Sequence, residues 1–199
     1  MNEFQKKYFD LRGQTLVKNL RRRHFEAHYC ETKEEALEKA LSLIPEGSKV
    51  GWGGAESAAQ IGLMDALNAG NWNAVGRNTE GGVDVFITGA NALSLDGQMV
   101  NIDGLGNRVS AIIYGPKTVV VIAGMNKVMD TLEAAITRAR TVAAPINEQR
   151  FLKNTPCAKT GICADCKSED CICNHIVITR HTRPTGRIQF VLVGEDLGF

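Results

Sequence analysis

The chain has 199 residues, a formal net charge of +1 and 44% hydrophobic residues, enough to bury one α/β core with at most a small appendage. The near-neutral charge argues against a dedicated nucleic-acid binder. With no apolar run near the roughly 20 residues that span a bilayer and no signal-peptide core in MNEFQKKYFD, the expected location is cytoplasmic, with no membrane partner.

Residues 2–28 carry a broken apolar stripe of Phe4, Tyr8, Leu11, Leu16 and Leu20. This predicts an N-terminal helical segment, residues 1–30, that docks on the main domain (31–199) or on a second copy in a homodimer. Gly13 weakens that helix, and Arg21-Arg22-Arg23 reads as its solvated face. Thr32-Lys33-Glu34-Glu35 has the capping-box pattern ahead of a helix whose face is Ala36, Leu37, Ala40, Leu41 and Ile44. A short strand, Lys49–Trp52, then breaks into Gly53-Gly54 before a helix over 57–69. Strand, glycine turn and helix start together form an anion-site pattern, although the same turn also serves packing. Glu56 there has three readings: it satisfies the helix start, repels a phosphate, or acts as a base. Residues 70–82 read as a loop with a short strand near 72–75.

The stretch Gly89–Arg108 carries the densest mixture of glycine, Asn and Asp, directly after a buried strand over 83–87. Such a mixture at a strand end brings backbone close to a ligand. Within it Leu93–Val100 reads as a hairpin with a two-residue type I′ turn at Asp96-Gly97, so turn-making is the simplest role for Asp96. Asn107 is expected to cap a short helix ending at Gly115-Pro116. Val119–Ala123 reads as a strand covered on both faces. It ends in Gly124-Met125-Asn126 and opens a long helix, with Val128, Leu132, Ala135, Ala139 and Val142 inward and Pro145 as its stop. Two further β-like runs, 175–179 and 187–193, extend the sheet.

The order predicts an α/β fold with a mainly parallel, helix-flanked sheet and a ligand site at the carboxyl ends of its strands. Three strand ends, at Gly53-Gly54, Gly89-Ala90-Asn91 and Gly124-Met125-Asn126, then converge on one edge. Gly53, Gly54, Gly89 and Gly104 would admit a small anionic metabolite to backbone amides. Asn91, Asn101 and Asn126 would orient it, and Arg108 would supply charge to a carboxylate or phosphate. The plainer reading of Arg108 is a surface ion pair. No nucleotide cofactor is indicated. An independent enzyme would need Glu56, Asp96 or Asp103 turned into the crevice with a raised pKa.

Five of the six cysteines fall between Cys157 and Cys173, and only Cys30 stands apart. A cytoplasmic chain does not call for a disulfide framework. Cys163-x-x-Cys166 has the spacing that zinc and iron–sulfur sites both use. Cys157 and Cys173 could complete four ligands, with Cys171 or His175 as alternates, and unligated thiols or a redox pair are the other reading of the cluster. His24, His28 and His181 read as surface residues.

Several segments together carry a family resemblance. They are Gly89-Ala90-Asn91-Ala92 through Asp96-Gly97 to Asn101, then Tyr114-Gly115-Pro116-Lys117, Val121–Lys127, Ala144-Pro145-Ile146-Asn147 and Leu192–Phe199. The chain resembles the LUD (lactate utilisation) domain family, close to lactate utilisation protein C, in a short cysteine-bearing subgroup. The resemblance implies the fold of glucosamine-6-phosphate deaminase, ribose-5-phosphate isomerase and the CoA-transferases. It also implies a role, with iron–sulfur partner proteins, in oxidising L-lactate to pyruvate. Related sugar-phosphate isomerases carry an acid where Asn91 stands, and CoA-transferases need a glutamate nucleophile, for which Glu56 and Glu80 are the candidates.

Overall fold

The computed structural model describes residues 1–199 except Asn78, Glu80 and Leu152. In chain order the elements are α1 (Glu3–Arg22), β1 (Glu26–Cys30), α2 (Lys33–Ser42), β2 (Lys49–Trp52), α3 (Glu56–Gln60), α4 (Leu63–Ala69) and β3 (Asn73–Gly76). Then come β4 (Val85–Gly89), β5 (Ala92–Ser94), β6 (Met99–Asp103), α5 (Asn107–Tyr114) and β7 (Thr118–Gly124). A 3₁₀ turn (Met125–Lys127) leads to β8 (Val128–Met129), α6 (Leu132–Arg138), a π-helical segment (Ala139–Ala143) and α7 (Ala144–Glu148). The last elements are α8 (Pro156–Thr160), β9 (His175–Thr179) and β10 (Ile188–Val193).

Six strands form one sheet in the order β1-β10-β7-β4-β2-β3, and every pairing in it is parallel. Alternate residues of its central strands feed two separate cores, as a period of two requires. Val119, Val121, Phe190 and Leu192 pack with Leu16, Leu20 and Ile112 of α1 and α5. Val120, Ile122, Val191 and Val193 pack with Ala36, Ala58 and Leu67 of α2, α3 and α4. The fold is therefore a three-layer α/β sandwich, as expected. A second sheet, β8-β5-β6-β9, covers a smaller core with Ala135, Ala139 and Ala144.

Several local expectations change. The N-terminal helix stops at Arg22, and His24 turns the chain with φ 66°. Residues 26–30, expected to be helical, instead form β1, which pairs in parallel with β10. The segment 1–30 thus contributes an edge strand to the main sheet rather than standing beside it. Gly13 lets α1 lie against Tyr29, since a Cβ there would stand 2.3 Å from Tyr29 Cδ2. The 57–69 helix is split by Gly62, at φ 79°, into α3 and α4. Gly124 is followed not by a long helix but by the 3₁₀ turn and β8, so Val128 is a strand residue. Pro145 does not end the later helix. α6, the π-helical segment and α7 run on with unbroken helical dihedrals, and Pro145 lies inside that run. Val142 is exposed.

The hairpin also differs. Ala92 pairs with Val100 and Leu93 with Met99, which leaves the three residues Leu95-Asp96-Gly97 in the loop. Gly97 alone takes a positive φ, 94°, and its amide donates to Ser94 O at 2.8 Å. This is a three-residue loop closed by a left-handed glycine, not a type I′ turn. Of the two C-terminal strands, β10 enters the centre of the main sheet and β9 joins the second sheet against β6.

Candidate functional site

β7, β4 and β2 are neighbours and parallel, so the three glycine-bearing strand ends share one edge of the sheet. Two adjoining hollows open there, of about 80 Å³ and about 440 Å³, and both are lined by Gly54, Arg108, Asn147 and Arg150. The smaller also touches Glu56, Gly89, Ala90, Asn91, Lys127 and Phe199. The larger extends past Gly53, Asp103, Gly104 and Asn107 to Cys171 and Ile172.

Arg108 is a buried clamp rather than a surface ion-pair residue. Its side chain is 12% exposed. Its guanidinium donates to Gly89 O (3.3 Å), Asn91 Oδ1 (3.0 Å) and Ile102 O (2.6 Å). Burial lowers its pKa, and Asp103 at 3.8 Å opposes that shift. Gly53 leaves room for its stem: a Cβ there would stand 3.0 Å from Arg108 Cγ and Cδ. Gly54 and Gly89 do line the smaller hollow. Gly104 lines the larger and approaches the Ile172 backbone.

Two of the three asparagines serve the scaffold. Asn101 is fully buried and donates to Gly89 O at 3.1 Å, and its Oδ1 has no partner among the described residues. Asn126 Oδ1 accepts from Leu197 N at 3.1 Å, holding the 195–199 segment in place. Neither lines the hollows. Asn91 does, but its Oδ1 already accepts from both Arg108 and Ile102 N.

Sequence reasoning missed the central cation. Lys127 is 4% exposed and lines the smaller hollow. Its Nζ donates to Ser57 Oγ (3.0 Å) and Ala90 O (3.1 Å). Among the described residues no carboxylate lies within ion-pair distance. Burial first, then the positive charges of Arg138 and Arg108, lower its pKa to about 7, against the pull of Glu56. A lysine so placed is partly a neutral amine near neutrality, able to accept a proton or attack a carbonyl. Arg138 fastens the surround by donating to Asn91 O (2.7 Å), Asn126 O (3.1 Å) and Phe199 O (3.3 Å). Arg150 lies over the Phe199 ring, 5.7 Å from its centroid. The available signal for Lys127 was its position one residue beyond the third strand end.

The three candidate carboxylates separate. Asp96 sits on the hairpin loop, hydrogen-bonded to Ser94 and Gln98 and paired with Arg23. Those partners outweigh its partial burial and lower its pKa, the opposite of what a catalytic acid would need, and it lines neither hollow. Asp103 Oδ2 accepts from Val109 N at 3.0 Å, so it, not Asn107, feeds the start of α5, whose cap residue is Gly106. Glu56 alone enters the smaller hollow, with Arg150 at 3.9 Å. Glu80, the other glutamate candidate, lies outside the described residues.

All five clustered cysteines line a third cavity, of about 70 Å³, together with Arg140, Glu148 and Ile176. Burial and the neighbouring thiols push the Cys173 thiol up to about 12. His175 lies against Gly106 and is not among the lining residues. Among the described residues, no three His, Cys, Asp or Glu side chains are gathered closely enough to hold a single metal ion. No helix among them is long and apolar enough to cross a membrane.

A family model described as LUD domain matches residues 13–193. Among solved structures, a DUF162 family protein from Deinococcus radiodurans superposes with a TM-score of 0.53 at 7% identity, over 94% of this chain and 97% of that one. At that identity the likeness shows the fold alone. Ribose 5-phosphate isomerase A from Methanocaldococcus jannaschii aligns at TM-score 0.35 and 19% identity, over 50% of this chain and 55% of its own. The enzyme from Neisseria gonorrhoeae aligns at 0.36 and 24%, over 50% and 54%. Scores at that level carry no argument about chemistry. No curated protein matches the chain.

Proposed function

The chain belongs to the LUD domain family, and from that premise we propose that it binds a small carboxylate or phosphate metabolite in the strand-end crevice, in the service of L-lactate utilisation. The supporting observation is that Arg108, Lys127 and Arg150 line one hollow in which Glu56 is the only acidic lining residue among the described residues. A concave strand-end site with converging polar groups suits a small molecule, and the excess of cations selects an anion. L-Lactate and pyruvate have that charge and size, and iron–sulfur partner proteins would carry the electrons between them. A thermal-shift series with L-lactate, pyruvate and inorganic phosphate tests the reading. At least one should raise the melting temperature of the wild type, and Arg150→Ala should lose the shift. A wild type indifferent to all three would refute it.

Glu56 supports a second reading, a CoA-transferase-like enzyme in which its carboxylate attacks an acyl-CoA thioester, forming an acyl-glutamyl anhydride as the C–S bond breaks and CoA thiolate leaves. Among the described residues it is the one candidate carboxylate lining the smaller hollow. Incubation with acyl-CoA followed by mass spectrometry would then find an adduct at Glu56 that Glu56→Gln lacks. The isomerase reading has less support, because Asn91 offers an amide whose oxygen is already engaged.

A further inference from the structure

The segment 161–174 has no helix or strand. Fixing such a segment costs backbone entropy at every residue, and little apolar burial offsets that here. Ile162 is 70% exposed, and no residue from 161 to 174 is fully buried. Its visible fastenings are polar clasps. Asn154 N donates to Asp170 Oδ2 (3.2 Å), Ser168 Oγ to Asn154 O (3.2 Å) and Asn174 Nδ2 to Gly104 O (3.2 Å), and Arg140 pairs with Asp165. A segment so poor in core and so rich in thiols is the kind that bound metal orders, since ligation there contributes folding energy directly.

The donor set favours one kind of group. Cys157, Cys163, Cys166, Cys171 and Cys173 ring a cavity of about 70 Å³ whose lining also includes Ala144, Pro145 and Ile176. A single zinc ion would draw four sulfurs to about 2.3 Å and leave no such hollow between them. A polynuclear cluster has its own volume and takes its thiolates around the outside. Cys173 N also donates to Cys171 Sγ at 3.4 Å, an amide–sulfur bond of the sort that tunes such clusters. Buried Glu148, with one oxygen unpartnered among the described residues, adds a further polar group to the lining.

We propose that this cavity holds an iron–sulfur cluster ligated by four of the five cysteines. Cys171 and Ile172 line both this cavity and the larger strand-end hollow, so the cluster would stand behind a shared wall of the crevice. The inference is independent of which metabolite the crevice binds.

Anaerobic reconstitution of the full chain with ferrous iron and sulfide tests it by metal analysis and absorption spectroscopy. The expected result is a brown protein holding about two or four irons with matching sulfide per chain. Cys163→Ser and Cys166→Ser should each lose more than half of that iron. Cys30→Ser, altered in the sheet core, should keep it. A wild type that stays colourless, or that takes one zinc in place of iron, overturns the proposal without reference to any variant. So does iron retained in full by both Cys163→Ser and Cys166→Ser.

Discussion

Arg108 Nη2 donates to Asn91 Oδ1 at 3.0 Å, the same oxygen that accepts from Ile102 N at 2.9 Å. With both bonds in place, the Asn91 amide is a fastener between β4's exit loop and β6. It does not occupy the role of a proton acceptor. The arginine in turn presents charge to the crevice while three buried acceptors hold it still.

Arg108→Ala removes donors from Gly89 O, Asn91 Oδ1 and Ile102 O at once. Urea denaturation should register a loss of about 2–4 kcal/mol, since buried acceptors left without partners carry a desolvation cost. Loss of anion binding should accompany it. A stability change below about 0.5 kcal/mol would contradict the clamp.

Lys127 makes binding depend on pH. An anion beside it favours the ammonium form, so above about pH 7 the free site must take up a proton when the ligand enters. If pyruvate is the probe, its affinity should be flat below that point and fall by up to about tenfold per pH unit above it. Calorimetry in two buffers of different ionisation heat would reveal the uptake. Lys127→Met should abolish the slope, and a flat wild-type profile between about pH 6 and about pH 9 would exclude this role.

The carboxylates predict a contrast. Asp96→Asn should leave anion binding unchanged and cost under about 1 kcal/mol of stability, because its pair with Arg23 is half-exposed. Glu56→Gln should tighten binding of the same anion by about 0.5–1 kcal/mol, since it removes a like charge from the hollow. Equal effects from the two variants, read by titration, would show that Glu56 does not face the ligand.

Stripping metal from the reconstituted protein should loosen 157–173. Lys159 and Lys167 are exposed within that stretch, and trypsin should cut there at least about tenfold faster after chelation, while the sheet core stays protected. Identical cleavage rates with and without the cluster would mean that it does not order the segment.

The architecture was legible where one strand or one turn carried the signal. Val119–Ala123 reads as a doubly covered strand because both its faces are apolar, and Gly53-Gly54, Gly89 and Gly124 mark ends that parallel pairing must bring together. β1 was not legible: Glu26, His28 and Tyr29 are only half-buried, so the run lacks an apolar signature and follows a basic helix without a break. The site was half legible for a related reason. Arg108 and the glycines sit on strand-end loops, whereas Arg138 and Arg150 come from later segments, and only the folded chain brings them near Asn91 and Glu56. Lys127 looked like an ordinary polar residue because nothing local reveals that Ser57 and the 195–199 segment will enclose it.

The π-helical segment Ala139–Ala143 separates Arg138, which grips Asn91 and Phe199 carbonyls, from α7, which sends Asn147 to the crevice and Glu148 to the cysteine cavity. Each residue of a helix advances its neighbours by roughly 100°, and a π turn absorbs one residue more than an α turn. Deleting a single residue between 139 and 143 would therefore let the π turn close to an α turn and leave Asn147, Glu148 and Arg150 in phase with Arg138. One further inserted residue has no such slack: it would swing them by about 100°, and both cavities would lose their walls together while the parallel sheet survived.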